Sequence, residues 1–153
     1  MPNILEKSLS HRDILLRDEE GNLLSARVEL SCKDWTEDNR RRTECRIKLL
    51  WAGGKIECID FIFWESFKRV REQLAKINLY PMCYGASRKV VMTGMAVDMG
   101  LGLKIYKAEI GIFPSRQHLV SIFDFGEDVE PVDVEVQEEF QRRWAKSMVK
   151  NKY

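Results

Sequence analysis

The chain has 153 residues, of which 44% are hydrophobic, 32% charged and 10% aromatic, and its formal net charge is +1. A chain of this length fits one domain and can bury a core without metals or disulfides. Its near-neutral charge provides no overall field that would recruit nucleic acid or an anionic membrane.

The sequence has no recognisable targeting or membrane-spanning segment. Its first residues lack the basic stretch and apolar run of a secretory signal, and no apolar run approaches the ~18 residues that a membrane span needs. Four cysteines, Cys32, Cys45, Cys58 and Cys83, form no CxxC pair, and three of them fall in strand-like segments. This usage is typical of a reducing compartment, so we expect a cytoplasmic protein.

The first half of the chain predicts two β-hairpins. After a loose lead-in over residues 1–11, an apolar run at 14–16 and an alternating segment at 24–32 flank a turn that contains Gly21 and Asn22. This pattern predicts the first hairpin.

The second hairpin is predicted from strands at 45–51 and 56–63, which flank Gly53 and Gly54. Such a pair of glycines can adopt the positive φ of a primed turn. The polar residues 34–43 between the two hairpins indicate a solvated connection.

The second half predicts two helices and three further strands. A helix is expected over residues 65–78, with Phe67, Val70, Leu74 and Ile77 on its apolar face. A terminal helix is expected from about Asp133, with Val136, Phe140, Trp144 and Met148 on one face. The strands are expected at 88–92, 103–109 and 119–125, the first two separated by a glycine-punctuated loop.

These elements predict an α+β fold. We expect one domain over residues 1–153, with a mainly antiparallel sheet of about six strands and two helices packed on it.

No catalytic or metal-binding signature is evident. Cys83 could be a nucleophile if His118 approached it and Asp98 oriented the histidine, but no spacing requires that arrangement. Gly100-Leu101-Gly102 precedes a strand rather than a helix, which favours a tight turn over a phosphate-binding loop. The usual zinc spacings are absent, so no cofactor is expected.

Two charged stretches are candidate binding surfaces. Eight acidic residues lie between positions 124 and 139 without an intervening lysine or arginine, which indicates either a solvated loop or a docking surface for a basic partner. Arg40, Arg41 and Arg42, with Arg88 and Lys89, could contact phosphate, but the rest of the chain is not basic. We therefore do not expect nucleic acid to be the partner.

Residues 79–86, 94–106 and 119–123, with 129–132 and a helix carrying Phe140 and Trp144, resemble a group of small bacterial proteins. That group is associated with immunity proteins of contact-dependent and other polymorphic toxin systems. The resemblance covers about the second half of the chain.

The resemblance implies a cytoplasmic, non-enzymatic protein that binds one cognate toxin C-terminal domain and occludes its active site. The net charge of +1 differs from that of a strongly acidic nuclease inhibitor, so the resemblance does not assign the toxin's class. The predicted contacts lie in the glycine-rich loop (Arg88, Met95, Asp98 and Lys104) and in the acidic segment (Asp124, Glu127, Asp128 and Glu130).

Overall fold

The computed structural model describes residues 6–150, with the exception of the side chains of residues 6–9, 98, 99 and 150. Its strands are β1 (Glu6–Arg17), β2 (Leu23–Glu37), β3 (Arg40–Trp51), β4 (Gly54–Asp60), β5 (Tyr80–Pro81), β6 (Val90–Val91), β7 (Lys104–Lys107) and β8 (Leu119–Ser121). Its α-helices are α1 (Phe63–Ala75), α2 (Gly94–Gly100) and α3 (Val134–Lys150).

The α+β prediction is confirmed. Within the described residues, eight strands form two antiparallel sheets and three α-helices are present, where about six strands and two helices were expected. The larger sheet has the order β4-β3-β2-β1-β5, and the smaller has the order β6-β7-β8.

Both predicted hairpins are present in the larger sheet. Strand β1 begins at Glu6, inside the stretch predicted to be a loose lead-in, because its first residues pair with residues 31–33 of β2. Residues 1–5 of that prediction lie outside the described range. The second hairpin turns through Ala52 and Gly53, and neither Gly53 nor Gly54 has a positive φ.

Residues 34–43 were predicted wrongly as a solvated connection. They form the projecting end of the β2–β3 hairpin, in which pairing continues to Glu37 and Arg40. Asp38 and Asn39 close the hairpin with φ values of 51° and 63°. Asp and Asn tolerate this left-handed region, so two residues suffice for the turn. The run of charged residues correctly indicated solvent exposure, but a two-stranded arm is exposed in the same way as a loop.

Helix α1 packs its apolar face on β3 and β4. The predicted contacts Phe67, Val70 and Leu74 are buried, whereas Ile77 lies beyond the helix and is 53% exposed. Arg71, which is not among the residues predicted on the apolar face, is only 4% exposed. A charged side chain therefore occupies the interior, and its partners are described below.

The smaller sheet consists of short strands. They lie within the three segments predicted as strands, although β6 spans only Val90–Val91. The glycine-rich segment between β6 and β7 contains helix α2, where a loop was expected. The chain leaves α2 through Leu101 and Gly102, both with positive φ.

Helix α3 packs against the smaller sheet through Phe140 and Trp144, as predicted. Val136 was predicted on the buried face but is 38% exposed, and its neighbour Gln137 is only 2% exposed. None of the described helices combines the length and the apolar character that a membrane crossing requires.

Two apolar clusters form the core. The larger fills the space between the inner face of the first sheet, helix α1 and one side of the smaller sheet, where Ile105 and Ile122 are fully buried. The other lies between the smaller sheet and α3 and includes Tyr106. Helix α3 thus forms the outer layer of the second half of the molecule.

Candidate functional site

A cleft of about 440 Å³ with both charged and apolar lining residues opens beside the smaller sheet. We call it the Tyr84 cleft; it is lined by Tyr84, Ser87, Lys89, Val90, Lys107, Ala108, Glu109, Ile112, Pro114, His118, Asp128 and Glu130. Three stretches of the chain, 84–90, 107–118 and 128–130, therefore contribute to it. It holds two lysines, a histidine, a tyrosine and a glutamate next to two residues of the acidic segment.

Tyr84 forms one wall of the cleft through a hydrogen-bonded cluster. Its hydroxyl donates to Asp128 Oδ1 at 2.6 Å, and Lys107 Nζ lies 3.3 Å from Asp128 Oδ2 and 5.4 Å from the centre of the Tyr84 ring. Burial, followed by the hydrogen bond to Asp128, raises the pKa of Tyr84 to about 12. The bond from Tyr84 in turn lowers the pKa of Asp128. At neutral pH Tyr84 is thus a donor and Asp128 an acceptor.

Arg71 of α1 holds the segment that carries Tyr84 through buried hydrogen bonds. The guanidinium donates to the Gly85 carbonyl at 3.0 Å, to Gln137 Oε1 at 2.7 Å and to the Val132 carbonyl at 2.9 Å. Its burial lowers the pKa of Arg71 to about 10, so it is still charged at neutral pH. A buried charge is tolerated where its hydrogen bonds are satisfied.

Gln137 completes this buried clamp. Its side-chain nitrogen donates to the carbonyls of Gly85 and Ser87 at 3.0 and 2.8 Å. Helices α1 and α3 thereby hold the same three-residue segment, which sets the position of Tyr84 and of the cleft wall. Neither Arg71 nor Gln137 was among the residues predicted on an apolar helix face, so no sequence signal pointed to them.

The acidic segment, residues 124–130, is largely neutralised by cations of the same chain. Three of its four predicted contact residues form ion pairs: Arg12–Asp124 at 2.6 Å, Lys107–Asp128 at 3.3 Å and Arg88–Glu130 at 3.2 Å. Glu127 is exposed and has no ion pair within the part of the chain that the structure describes. The segment therefore does not form a uniformly negative surface, and its role in docking stays a prediction.

The predicted residues of the glycine-rich loop lie in different places. Arg88 is adjacent to the Tyr84 cleft through its pair with Glu130. Met95 is 67% exposed on α2, and Lys104 lies on β7 opposite Ser121. The side chain of Asp98 lies outside the described residues. Within the described residues, no hydrogen bond or ion pair joins Met95 or Lys104 to the acidic segment.

A surface that the sequence analysis overlooked lies beside the cleft. Residues 109–114, here called the apolar loop, expose Ile110, Ile112 and Phe113 to 43%, 58% and 73%. Ile112 also lines the Tyr84 cleft, and Ile110 lines a second cleft of about 460 Å³ next to α3. The short apolar run 110–113, which Pro114 follows, was the available sequence signal.

The apolar loop is anchored to α3. Trp144 Nε1 donates to the Ile112 carbonyl at 3.1 Å, and the Gly111 amide donates to Ser147 Oγ at 2.9 Å. The Phe113 ring packs 6.2 Å from the Trp144 ring. These contacts fix the backbone of the loop while its side chains face solvent. Such preorganisation lowers the entropic cost of binding.

The environment of Cys83 contradicts its interpretation as a nucleophile. Cys83 is fully buried, and its burial raises the pKa of its thiol to about 12, the reverse of what a thiolate nucleophile requires. His118 Nδ1 lies 3.1 Å from Ser115 Oγ. Among the described residues no cluster of three metal-ligating side chains occurs.

The other candidate surfaces carry mixed charge. Arg41 of the hairpin arm lies 3.6 Å from Asp34, and Lys89 lies 3.6 Å from Glu109.

Gly102 packs against the start of α1, with no room for a side chain next to the Trp64 backbone. Gly102 thus has a structural role in the turn after α2.

No protein-family model matches the chain, and no curated protein matches it either.

Proposed function

We propose that the chain is a non-enzymatic immunity protein that binds the C-terminal domain of a cognate bacterial toxin in the cytoplasm and occludes its active site. The observation that carries this proposal is the apolar loop, which exposes three large apolar side chains from a fixed backbone. Contiguous exposed apolar side chains with a polar surround are typical of protein interfaces. The resemblance of residues 79–86, 94–106, 119–123 and 129–132, and of the helix that carries Phe140 and Trp144, to immunity proteins supplies the class of partner.

The surroundings of the apolar loop suit an interface. The Lys89–Glu109 and Arg88–Glu130 pairs flank it, so charged residues form the rim. Rim charges influence association rate and partner choice more than affinity. Phe113 is the expected anchor, because aromatic side chains near the centre of an interface contribute most of its binding energy. The predicted contacts Arg88, Asp128 and Glu130 then belong to the rim.

The proposal is tested by a growth assay with the toxin domain. The candidate toxin is the C-terminal domain encoded by the gene immediately upstream, or one that the tagged chain captures from its source. We expect this domain to stop growth when expressed alone and growth to return when the chain is co-expressed. Phe113→Asp should weaken binding by about 2–4 kcal/mol and abolish the rescue.

Leu23→Asp is the matched control, since Leu23 is 55% exposed at the β1–β2 turn. This variant should leave the rescue intact. Rescue that survives Phe113→Asp would exclude the apolar loop as the contact surface. Absence of a growth-inhibiting partner would contradict the immunity proposal itself.

A further inference from the structure

Strand β4 forms one border of the larger sheet, and one of its edges is unpaired within the described residues. Its other edge pairs with β3, starting from the two-residue turn between Trp51 and Gly54. In such a hairpin the closing residues bond to each other, and alternate residues then face outward. The backbone N–H and C=O groups of Lys55, Glu57 and Ile59 therefore point away from the sheet.

This edge lacks most of the features that prevent edge pairing. Its seven residues keep an unbroken register with β3, and they contain neither a proline nor a bulge. Helix α1 packs on the inner face of β4, and a groove of about 610 Å³ remains between the two along Glu57, Cys58 and Ile59. Charged side chains are the remaining feature of this edge that opposes pairing with another strand. Their order along β4 indicates which strand can pair there.

We propose that β4 pairs with β4 of a second copy of this chain, antiparallel about a two-fold axis through Ile56, to make a continuous ten-stranded sheet. In this register Lys55 lies opposite Glu57 of the other copy, and the reverse pair forms symmetrically. Opposite charges at directly opposed positions stabilise an antiparallel pair, and like charges destabilise it. Neighbouring registers that preserve the faces place Lys55 opposite Lys55, or Glu57 opposite Glu57.

The direction of the backbone amide and carbonyl groups agrees with the charge pattern. Lys55 and Glu57 both point their amide and carbonyl groups outward, so each cross-copy pair of these residues can exchange two hydrogen bonds. Glu57 already lies 3.0 Å from Arg46. Lys55 of the second copy would join that pair and form a three-charge cluster on the outer face of the sheet.

The helices leave room for this arrangement. Helix α1 packs over both β3 and β4. Adjacent strands lie about 4.8 Å apart, so two such helices in the continued sheet would be about 10 Å apart, which is a normal packing distance. The groove wall of α1 presents Arg69, Glu72 and Lys76, so it carries both signs of charge toward an antiparallel copy.

The test is the molar mass of the full chain in solution, measured by light scattering across the micromolar range. We expect the wild type to be a dimer. Lys55→Glu places a carboxylate opposite Glu57 and should give a monomer. Glu57→Lys should do the same, and the double variant Lys55→Glu/Glu57→Lys restores opposite charges and should recover the dimer.

Arg27→Glu is the control, because it reverses a charge on the outer face of β2, away from the edge. Lys55 is exposed and has no ion pair within the described residues, so its variant keeps the fold. A monomeric wild type would overturn the proposal. A dimeric wild type whose molar mass is unchanged in the two single variants and in the double variant would also overturn it. Neither result bears on toxin binding, which involves the other half of the molecule.

Discussion

The half of the molecule built from β1–β4 and α1 and the half formed by residues 79–150 are stabilised by different interactions. In the first half, long strands pair with their sequence neighbours through short turns. In the second, the strands have two to four residues, and buried side chains bond to backbone groups far away in sequence. Regular pairing makes the first half a scaffold, and individual polar contacts determine how the second half presents the Tyr84 cleft and the apolar loop.

Gly102 lies where the two halves meet, and its replacement should have the largest effect. A Cβ at this position would lie 2.8 Å from the Trp64 amide nitrogen, and the φ of 84° is unfavourable for other residues. We expect Gly102→Ala to lower the free energy of unfolding by about 2–5 kcal/mol, as measured by urea denaturation.

Gly21→Ala is the matched control for Gly102→Ala. Gly21 has nearly the same φ, 87°, but nothing lies within 4 Å of an added Cβ. Its replacement should cost only about 1–2 kcal/mol, the conformational part of the effect. Equal losses for the two variants would show that the contact with α1 does not couple the halves.

Arg71→Met should have the next largest effect, because it removes the clamp from Gly85, Val132 and Gln137. The substitution removes the cost of burying a charged guanidinium. It also removes the donor that bonds to the Gly85 and Val132 carbonyls and to the Gln137 side chain. We expect a net loss of about 2–4 kcal/mol in the free energy of unfolding. Arg142→Met, at a residue 64% exposed on α3, should change it by less than about 1 kcal/mol. Similar effects of the two variants would contradict a role for the clamp.

Tyr84→Phe should have the smallest effect, a loss of about 1 kcal/mol at neutral pH, because it removes one hydrogen bond. The difference should also depend on pH. The folded-state pKa of Tyr84 is about 12, above the ordinary value of 10, so its contribution is present below pH 10 and is lost as pH rises toward 12. Unfolding curves of the two proteins should converge over that window, and a constant difference would contradict the Tyr84–Asp128 bond.

The sequence predicted the first half well, since alternation along β2 and β3 reports directly on which side chains face the core. It failed where a polar residue is buried or an apolar residue is exposed. Arg71 on α1 and Ile77 just after that helix are such a pair, and Gln137 and Val136 on α3 are another. Periodicity assigns residues to a face by hydrophobicity, so it exchanges the two members of each pair.

The candidate site was predicted only in part. The sequence identified Arg88, Asp128 and Glu130, which line or flank the clefts, but it could not show that cations of the same chain neutralise the acidic segment. Ion pairs such as Arg12–Asp124 join residues more than a hundred positions apart. The apolar loop was missed because exposure of Phe113 depends on how α3 holds the loop backbone.

Site-specific photo-crosslinking tests most directly whether the second half carries the binding surface. p-Benzoylphenylalanine is placed at position 113 in one variant and at position 23 in another, and each is irradiated with the toxin domain proposed as the partner. We expect an adduct from position 113 and none from position 23. An adduct from position 23 with none from position 113 would place the partner on the scaffold half and contradict the account.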